Sequence, residues 1–214
     1  MEVKATQKAV PLKNTKDIDD ILNYFLLKRD SAKTDIKKKQ ADRNFMLCLI
    51  GFNTPLRTDK LIRLMVKDVK YGKALINDLD KNNPIKFTLE KRIHTEILDY
   101  IERCDLRDCN YLFSGQKKVM KPLTRQQVND LLREASEEIG RKNSFSINTL
   151  RKTFGYHYYK NGGKLHNLAI MFNHDSPKTT MEFICYDHRL DKEEVKLNIG
   201  ESILKKIKEG GKLV

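Results

Sequence analysis

The chain has 214 residues, of which 39% are hydrophobic, so it is long enough for one sizeable core. Lys and Arg number 42 against 29 Asp and Glu, and the net charge of +13 favours nucleic acid as a partner over a merely solvated basic surface or a membrane surface. No stretch approaches the ~20 apolar residues of a membrane span, the N-terminus lacks the apolar segment of a signal peptide, and the four cysteines have no C-x-x-C spacing, which favours free thiols in a reducing cytoplasm.

The N-terminal part of the chain is predicted to contain an arm and two helices. Residues 1–16 have the character of an extended arm. Apolar residues recur at helical spacing over residues 18–26, which predicts a first helix with Thr15 or Asp17 as its cap. A second helix follows a run of three lysines, and its dense apolar stretch at residues 45–50 predicts that it is largely buried.

The middle of the chain combines helices with a β-hairpin. Thr58 is placed to cap a third helix. Residues 74–89 contain two short β-prone runs separated by an Asn- and Pro-containing turn, which predicts a hairpin. Residues 93–104 are amphipathic, and residues 124–139 form the clearest helix, with a capping box at its start and Gly140 as its stop.

The stretch from residue 146 to 186 contains most of the chemistry-bearing side chains. Asn148 and Arg151 are three residues apart on one helical face, and an Asn-Gly-Gly stop follows. Residues 165–172 predict an apolar helix. Ser176 followed by proline predicts the start of another helix, which is expected to run through Tyr186.

The remaining residues complete the predicted domain organisation. Residues 190–204 predict one more charged amphipathic helix. The main domain is therefore expected to span residues 17–205, with residues 206–214 as a C-terminal tail. The fold class expected from these elements is mainly α with a small antiparallel β-hairpin.

Several motifs resemble the tyrosine recombinase, or phage integrase, family. Residues 148–151 are similar to its H-x-L-R motif, residues 172–177 to its L-G-H-S-S-like turn, and residues 179–183 to T-T-x-x-Y, whose tyrosine lies nine residues after the turn histidine. Residues 53–61 are similar to a T-G-L-R-I-S-E-L-like motif. The resemblance covers about residues 15–205 and implies the tyrosine recombinase catalytic-domain fold.

The resemblance also implies roles for individual residues. Arg57 and Arg151 correspond to the two arginines that clamp the DNA phosphate, and His174 corresponds to a histidine that donates to it. Lys81, on the predicted hairpin turn, corresponds to the lysine that protonates the leaving oxygen, with Lys86 and Lys73 as alternatives. Asn148 stands where the family has histidine or lysine. We expect Arg57, Arg151 and His174 to face one basic pocket.

The position of the nucleophile departs from the family pattern. Phe183 stands where the family has its tyrosine, and phenylalanine has no hydroxyl with which to attack a phosphate. Tyr186 is the alternative nucleophile, one helical turn further on. The phenylalanine is either an engineered substitution or a natural feature of this member. Three other tyrosines, at positions 156, 158 and 159, are expected to pack in the core.

The implied activity is site-specific DNA recombination through a 3′-phosphotyrosyl intermediate, without metal or cofactor. The implied partner is double-stranded DNA, with self-association on DNA, no membrane and no small-molecule substrate, in a bacterial or phage-encoded cytoplasmic protein. Because of Phe183, cleavage is expected to be deficient, and a non-catalytic DNA-binding protein on the same fold is the alternative. The N-terminal helical domain typical of the family has no counterpart here, so an isolated catalytic domain or a natural minimal form with weak DNA affinity is expected.

Overall fold

A computed structural model describes residues 9–71, 73–76, 85–115, 118–141 and 145–187. The helices and strands in this part of the chain follow one another in the order α1 Thr15–Asp30, α2 Asp35–Phe52, α3 Thr58–Ile62, α4 Val66–Val69, β1 Lys73–Ile76, β2 Ile85–Thr88, α5 Lys91–Arg103, β3 Ser114–Gly115, β4 Lys118–Pro122, α6 Arg125–Glu138, α7 Ile147–Lys160, α8 Leu165–Phe172 and α9 Pro177–Ile184. The mainly helical fold class is confirmed. The predicted helix at 190–204 and the tail at 206–214 lie outside the described residues.

Helix α1 begins at Thr15, and α2 begins before the run of three lysines that was expected to precede it. Asn14 caps α1, because its side-chain oxygen accepts a hydrogen bond from the backbone N–H of Lys16 at 3.0 Å, so the prediction of Thr15 or Asp17 as the cap was wrong. Thr34 caps α2, and the three lysines therefore lie inside the helix, where their side chains are exposed. A capping oxygen upstream decides a helix start more strongly than the first apolar residue does.

Helix α3 also starts differently from the prediction. Its N-cap residue is Arg57, with an extended backbone and no side-chain capping bond, and Thr58 is the first helical residue. The predicted capping role of Thr58 was wrong, because its hydroxyl donates to Asn148 of α7 rather than accepting from a backbone N–H of its own helix.

The strands form two small antiparallel pairs. Strands β1 and β2 pair in register with Leu75 opposite Lys86, which confirms the predicted hairpin, while its turn at residues 77–84 lies outside the described residues. Strands β3 and β4 form a second pair with an irregularity in register. This pair was not predicted, since a strand of two residues is too short to show an alternating pattern.

The core is built around α2. Every residue from Phe45 to Phe52 is buried, as the dense apolar run predicted, and α2 packs against α1, α5 and α7. A second, smaller apolar cluster joins α7, α8 and α9 through Phe154, Phe172 and Ile184. The two clusters meet along α7, whose buried side chains contribute to both. Apolar contacts alone therefore hold helix α7 on more than one side.

The residues before α1 lie against α7. The backbone N–H of Leu12 donates to Thr153 Oγ1 at 2.9 Å, and the carbonyl oxygen of Leu12 lies 2.8 Å from His157 Nε2. Leu12 is buried. Burial lowers the pKa of His157, which is therefore neutral and donates to this carbonyl through Nε2–H. Residues 9–13 are thus docked on the domain.

The ends of α6 and α9 illustrate one correct and one incorrect boundary. Thr124 and Gln127 exchange the two hydrogen bonds of the predicted capping box, and Gly140 follows α6 with a φ of +71°. Helix α9 ends at Ile184, because Cys185 adopts a left-handed conformation with a φ of +52°. The prediction that this helix runs through Tyr186 was wrong.

Within the described residues no helix has the length and apolar content needed to cross a lipid bilayer.

Candidate active site

Helix α7 presents Asn148 and Arg151 on one face. Its start is tied to α6, because Asn129 Oδ1 accepts a hydrogen bond from the backbone N–H of Ile147 at 3.1 Å. The Arg151 guanidinium lies 4.6 Å from the centre of the Phe172 ring, and its Nη2 donates to the carbonyl oxygen of Phe172 at 2.9 Å. The end of α8 therefore orients the guanidinium of α7.

A tight turn then carries the chain from α8 to His174. Asn173 has a left-handed backbone with a φ of 55°, and the backbone N–H of His174 donates to the carbonyl of Ala169 at 2.9 Å. Asparagine tolerates this conformation better than most residues, which explains its place after the apolar helix. The turn places the imidazole of His174 beside Phe172, with ring centres 5.4 Å apart.

Thr180 of α9 orients the imidazole ring of His174. Its Nδ1 lies 2.9 Å from Thr180 Oγ1, and the hydroxyl of Thr180 donates to the carbonyl of Ser176 at 3.3 Å. Burial, together with the nearby Arg151 charge, lowers the pKa of His174, which favours the neutral ring.

Phe183 of α9 faces the same site. Its ring contacts those of His174 and Phe172 edge to face, with centre distances of 5.1 Å and 5.4 Å. Lys152 Nζ, from a side chain that is almost fully buried, lies 4.7 Å from the centre of the Phe183 ring. The aromatic ring at position 183 is therefore held by contacts that require no hydroxyl.

Arg57 approaches the site from the start of α3. Its side chain is about half exposed and lies 3.6 Å from Asp59 Oδ1 in an ion pair. Thr58, between the two, donates from its hydroxyl to Asn148 Oδ1 at 3.1 Å. Three consecutive residues at the start of α3 thus place a cation, a hydroxyl and a carboxylate beside the polar face of α7.

These side chains line one open cavity of about 340 Å³. The lining combines residues from the start of α3, from α6, α7, α8 and α9, and from the turn after α8, namely Arg57, Thr58, Asp59, Arg125, Asn148, Arg151, Phe172, Asn173, His174 and Phe183. The two arginines and the histidine that were expected to face one pocket therefore line the same cavity. Five of the seven residues that the sequence singled out are brought together here.

Of the other two predicted residues, Tyr186 does not line this cavity, and Lys81 lies outside the described residues. Tyr186 follows the end of α9 and packs against Tyr156 and Tyr159, with ring centres 5.6 Å and 4.9 Å apart. Lys81 lies outside the described residues, and of its two alternatives, Lys73 and Lys86, the structure describes only the paired backbone.

Sequence reasoning missed three residues of the cavity. Arg125 begins α6 immediately after the capping Thr124, a position at which an arginine has no distinguishing local pattern. Thr58 and Asp59 adjoin Arg57, so proximity in the chain was available as a signal, but the direction of their side chains depends on how α3 packs against α7. Among the described residues, no three His, Cys, Asp or Glu side chains come together as a metal site would require.

Comparisons with known proteins identify one family of similar sequences and structures. Residues 20–193 match the phage integrase family. A Bacillus subtilis (strain 168) protein, probable integrase/recombinase YoeC, is 30% identical over 178 residues, covering 83% of this chain and 90% of that protein. The crystal structure of XerA recombinase has a TM-score of 0.62 at 14% identity and covers 100% of this chain and 68% of its own. The crystal structure of XerH site-specific recombinase bound to difH substrate has a TM-score of 0.63 at 18% identity and covers 84% of this chain and 51% of its own. At such identities these two structures bear on the fold alone.

Proposed function

This chain belongs to the phage integrase family, and from that premise we propose that it is a site-specific DNA recombinase domain that holds a DNA phosphodiester in the cavity between α3, α7 and α9 but does not cleave it through residue 183. The observation that supports the proposal best is the convergence of Arg57, Asn148, Arg151 and His174 on one cavity, although Arg57 and Arg151 are 94 residues apart in the sequence. A non-catalytic DNA-binding protein on the same fold is the second candidate, and Phe183 favours it.

The composition of the cavity suits a phosphate diester. A guanidinium offers several N–H donors in one plane and stays charged at every physiological pH, so Arg57 and Arg151 bind the two non-bridging oxygens of a phosphate. Asn148 adds a neutral amide donor. His174 donates to the phosphate through Nε2–H, and an anion in the cavity would favour the protonated ring by raising its pKa.

Cleavage of DNA at this site would require a nucleophile beside the phosphate. In the family chemistry a tyrosine attacks the phosphorus, the leaving 5′ oxygen takes a proton from a lysine, and the 3′ phosphate stays covalently bound to the enzyme. The proposed acid in this chain is Lys81. The ring of Phe183 occupies the nucleophile position and supplies no oxygen, so the phosphate is bound and the phosphodiester bond stays intact.

Tyr186 is a poor substitute for the missing hydroxyl. It lies beyond the left-handed residue Cys185 that ends α9, and its ring packs against two tyrosines of α7 rather than against the cavity. To reach the phosphate, its ring would have to leave both contacts and the end of α9 would have to be rebuilt. Aromatic pairs of this kind contribute about 0.5–1.5 kcal/mol each beyond burial, so this rearrangement is costly.

The partner proposed for the cavity is double-stranded DNA, recognised mainly through phosphates. The net charge of +13 predicts an affinity that falls steeply as salt rises, because binding releases counterions. Arg151→Ala should weaken binding to a labelled 30-base-pair duplex by about tenfold or more, as expected when a charge-assisted contact to phosphate is lost. Arg133→Ala is the matched control, since Arg133 is an exposed arginine of α6 that pairs with Asp130 and does not line the cavity.

The decisive experiment is covalent trapping. A pool of end-labelled, nicked duplexes with randomised sequence beside the nick is incubated with the unmodified chain and with three variants. These are Tyr186→Phe, Phe183→Tyr, and Phe183→Tyr combined with Tyr186→Phe, and adducts are separated on denaturing gels. We expect no adduct from the unmodified chain and a 3′-phosphotyrosyl adduct from both variants that carry the restored hydroxyl.

Three other outcomes would change the conclusion. An adduct from the unmodified chain that disappears in Tyr186→Phe would assign the nucleophile to Tyr186. Intact DNA binding with no adduct in Phe183→Tyr would support the non-catalytic DNA-binding protein instead. If Arg151→Ala binds DNA with unchanged affinity and unchanged salt dependence, the cavity is not part of the DNA-binding surface.

A further inference from the structure

The hydrogen bond between Thr58 and Asn148 joins two elements that are far apart in the sequence. The Thr58 hydroxyl donates to Asn148 Oδ1 at 3.1 Å across 90 residues, and both side chains line the cavity. Thr58 has no capping role in α3, so its hydroxyl makes no contribution to the start of that helix. Both side chains are intermediate in exposure, which leaves them accessible to a ligand in the cavity.

An asparagine beside a phosphate can either help or hinder binding. Its planar amide carries an oxygen that repels an anion and an NH₂ group that donates to it, and the two exchange places when the amide rotates by half a turn. In solution the amide rotates with little restriction. The orientation of Asn148 therefore decides whether it attracts or repels a phosphate oxygen.

We propose that Thr58 is a positioning residue that fixes the Asn148 amide with its NH₂ group available to the bound phosphate. The hydroxyl of Thr58 has one hydrogen, and its donation to Oδ1 assigns the oxygen of the amide to α3 and leaves Nδ2 as the polar group for the ligand. This inference rests on the proposed function, because it names a further residue of the same phosphate site.

The position and the side-chain type of Thr58 both suit this role. It directly follows Arg57, so the same turn of α3 sets the cation and the hydroxyl that orients the amide. Threonine is branched at Cβ and has few accessible rotamers, which keeps the hydroxyl directed with little loss of side-chain entropy. The resulting donor does not titrate near neutral pH, unlike the histidine that the family resemblance leads one to expect at position 148.

The test is a double-mutant cycle on DNA affinity. Dissociation constants for the labelled 30-base-pair duplex are measured at one fixed salt concentration for Thr58→Val, Thr58→Ser, Asn148→Ala and the combination of Thr58→Val with Asn148→Ala. Valine keeps the shape of threonine and removes the hydroxyl, whereas serine keeps the hydroxyl. Thermal unfolding of each variant reports whether α3 is still intact.

We expect Thr58→Val to weaken binding by roughly fivefold, as the loss of one oriented hydrogen bond predicts, and Thr58→Ser to stay within about twofold of the unmodified chain. In the Asn148→Ala background, Thr58→Val should cause no further loss, because the amide that it orients is absent. A merely structural role of Thr58 would instead give the same loss in both backgrounds.

The outcomes separate this inference from the proposed function. If Arg151→Ala weakens DNA binding while Thr58→Val does not, or if the loss caused by Thr58→Val persists in the Asn148→Ala background, the positioning role is refuted and the phosphate site stands. If Arg151→Ala, Asn148→Ala and Thr58→Val all leave binding unchanged, the phosphate site itself is refuted. If Thr58→Val lowers the melting temperature strongly, the serine variant decides. The positioning role is supported if Thr58→Ser keeps its DNA affinity and Asn148→Ala loses affinity. It is refuted if Thr58→Ser loses affinity.

Discussion

Gly155 of α7 lies against both α8 and α9, two helices that support the candidate site. A Cβ atom built at this position of α7 would be 2.7 Å from two ring atoms of Phe172 and 2.8 Å from Cγ2 of Ile184. Distances below 3.0 Å are not tolerated between carbon atoms, so α8 and α9 would have to move by several tenths of an ångström. The substitution Gly155→Ala thus perturbs the support of Arg151 and Phe183 without touching either.

Two opposing effects determine the expected stability of this variant. Replacement of glycine by alanine inside a helix stabilises it by about 1 kcal/mol. Overpacking of a close-packed core costs about 1–3 kcal/mol, and here two buried side chains are affected. The net result should be a loss of up to about 2 kcal/mol in the free energy of unfolding, which for a chain of this size lowers the melting temperature by up to roughly 8 °C.

The same displacement should reach the phosphate site. Phe172 supplies both the ring beneath Arg151 and the carbonyl oxygen that accepts from its Nη2, so movement of Phe172 misplaces the guanidinium. We expect the affinity for duplex DNA to fall by several-fold, since a charge-assisted contact contributes about 1.5–3 kcal/mol only in good geometry. Ile18→Val, in the core of α1 and remote from the cavity, should lose about 1 kcal/mol and keep its DNA affinity.

The assays are denaturant unfolding followed by circular dichroism and fluorescence anisotropy with the labelled duplex. An increase in stability of about 1 kcal/mol with unchanged affinity would mean that helix propensity prevails and that α7 does not approach α8 and α9 this closely. An affinity loss in Ile18→Val equal to that in Gly155→Ala would show that stability alone, rather than the geometry of Phe172, governs binding.

Three further predictions concern charges. Asp59→Asn removes the only carboxylate among the described residues that line the cavity and ends its ion pair with Arg57, so DNA affinity measured by anisotropy should rise about two- to fivefold, and an unchanged affinity would contradict this. Asp42→Asn should lower the free energy of unfolding in urea by about 3 kcal/mol, because the buried Asp42 accepts two hydrogen bonds from Arg103 at 2.8 Å and 3.1 Å, and an unchanged urea midpoint would refute this. Burial depresses the pKa of His157 in the folded state, so the contribution of the neutral ring to stability is complete above its ordinary pKa of about 6.5 and is lost as the pH falls below that value. The variant His157→Gln should therefore show a smaller decline in unfolding free energy between pH 7 and pH 5. An identical decline in both proteins would refute the assignment of this pH dependence to His157.

Local chemistry was sufficient to predict most of the secondary structure. Apolar spacing identified the long helices, the Ser176-Pro177 pair identified the start of α9, and the capping box identified the start of α6, because each of these signals lies within one or two turns of the chain. Two of the errors fall at helix starts, where neighbouring polar residues compete for the capping position. Asn14 rather than Thr15 caps α1, and the hydroxyl of Thr58 donates to Asn148 of α7 instead of capping α3.

The sequence by itself also determined the family and the residues that its motifs name, including the absence of a hydroxyl at position 183. Only the tertiary structure decided what surrounds them: that Arg125, Thr58 and Asp59 join the cavity, that Lys152 lies against the Phe183 ring, and that the ring of Tyr186 packs against α7. These contacts join residues on separate elements, and their geometry depends on how closely α3, α8 and α9 pack against α7. A periodic pattern records which face of each helix is buried but carries no information about which neighbour covers it, so the composition of the site had to come from the packing.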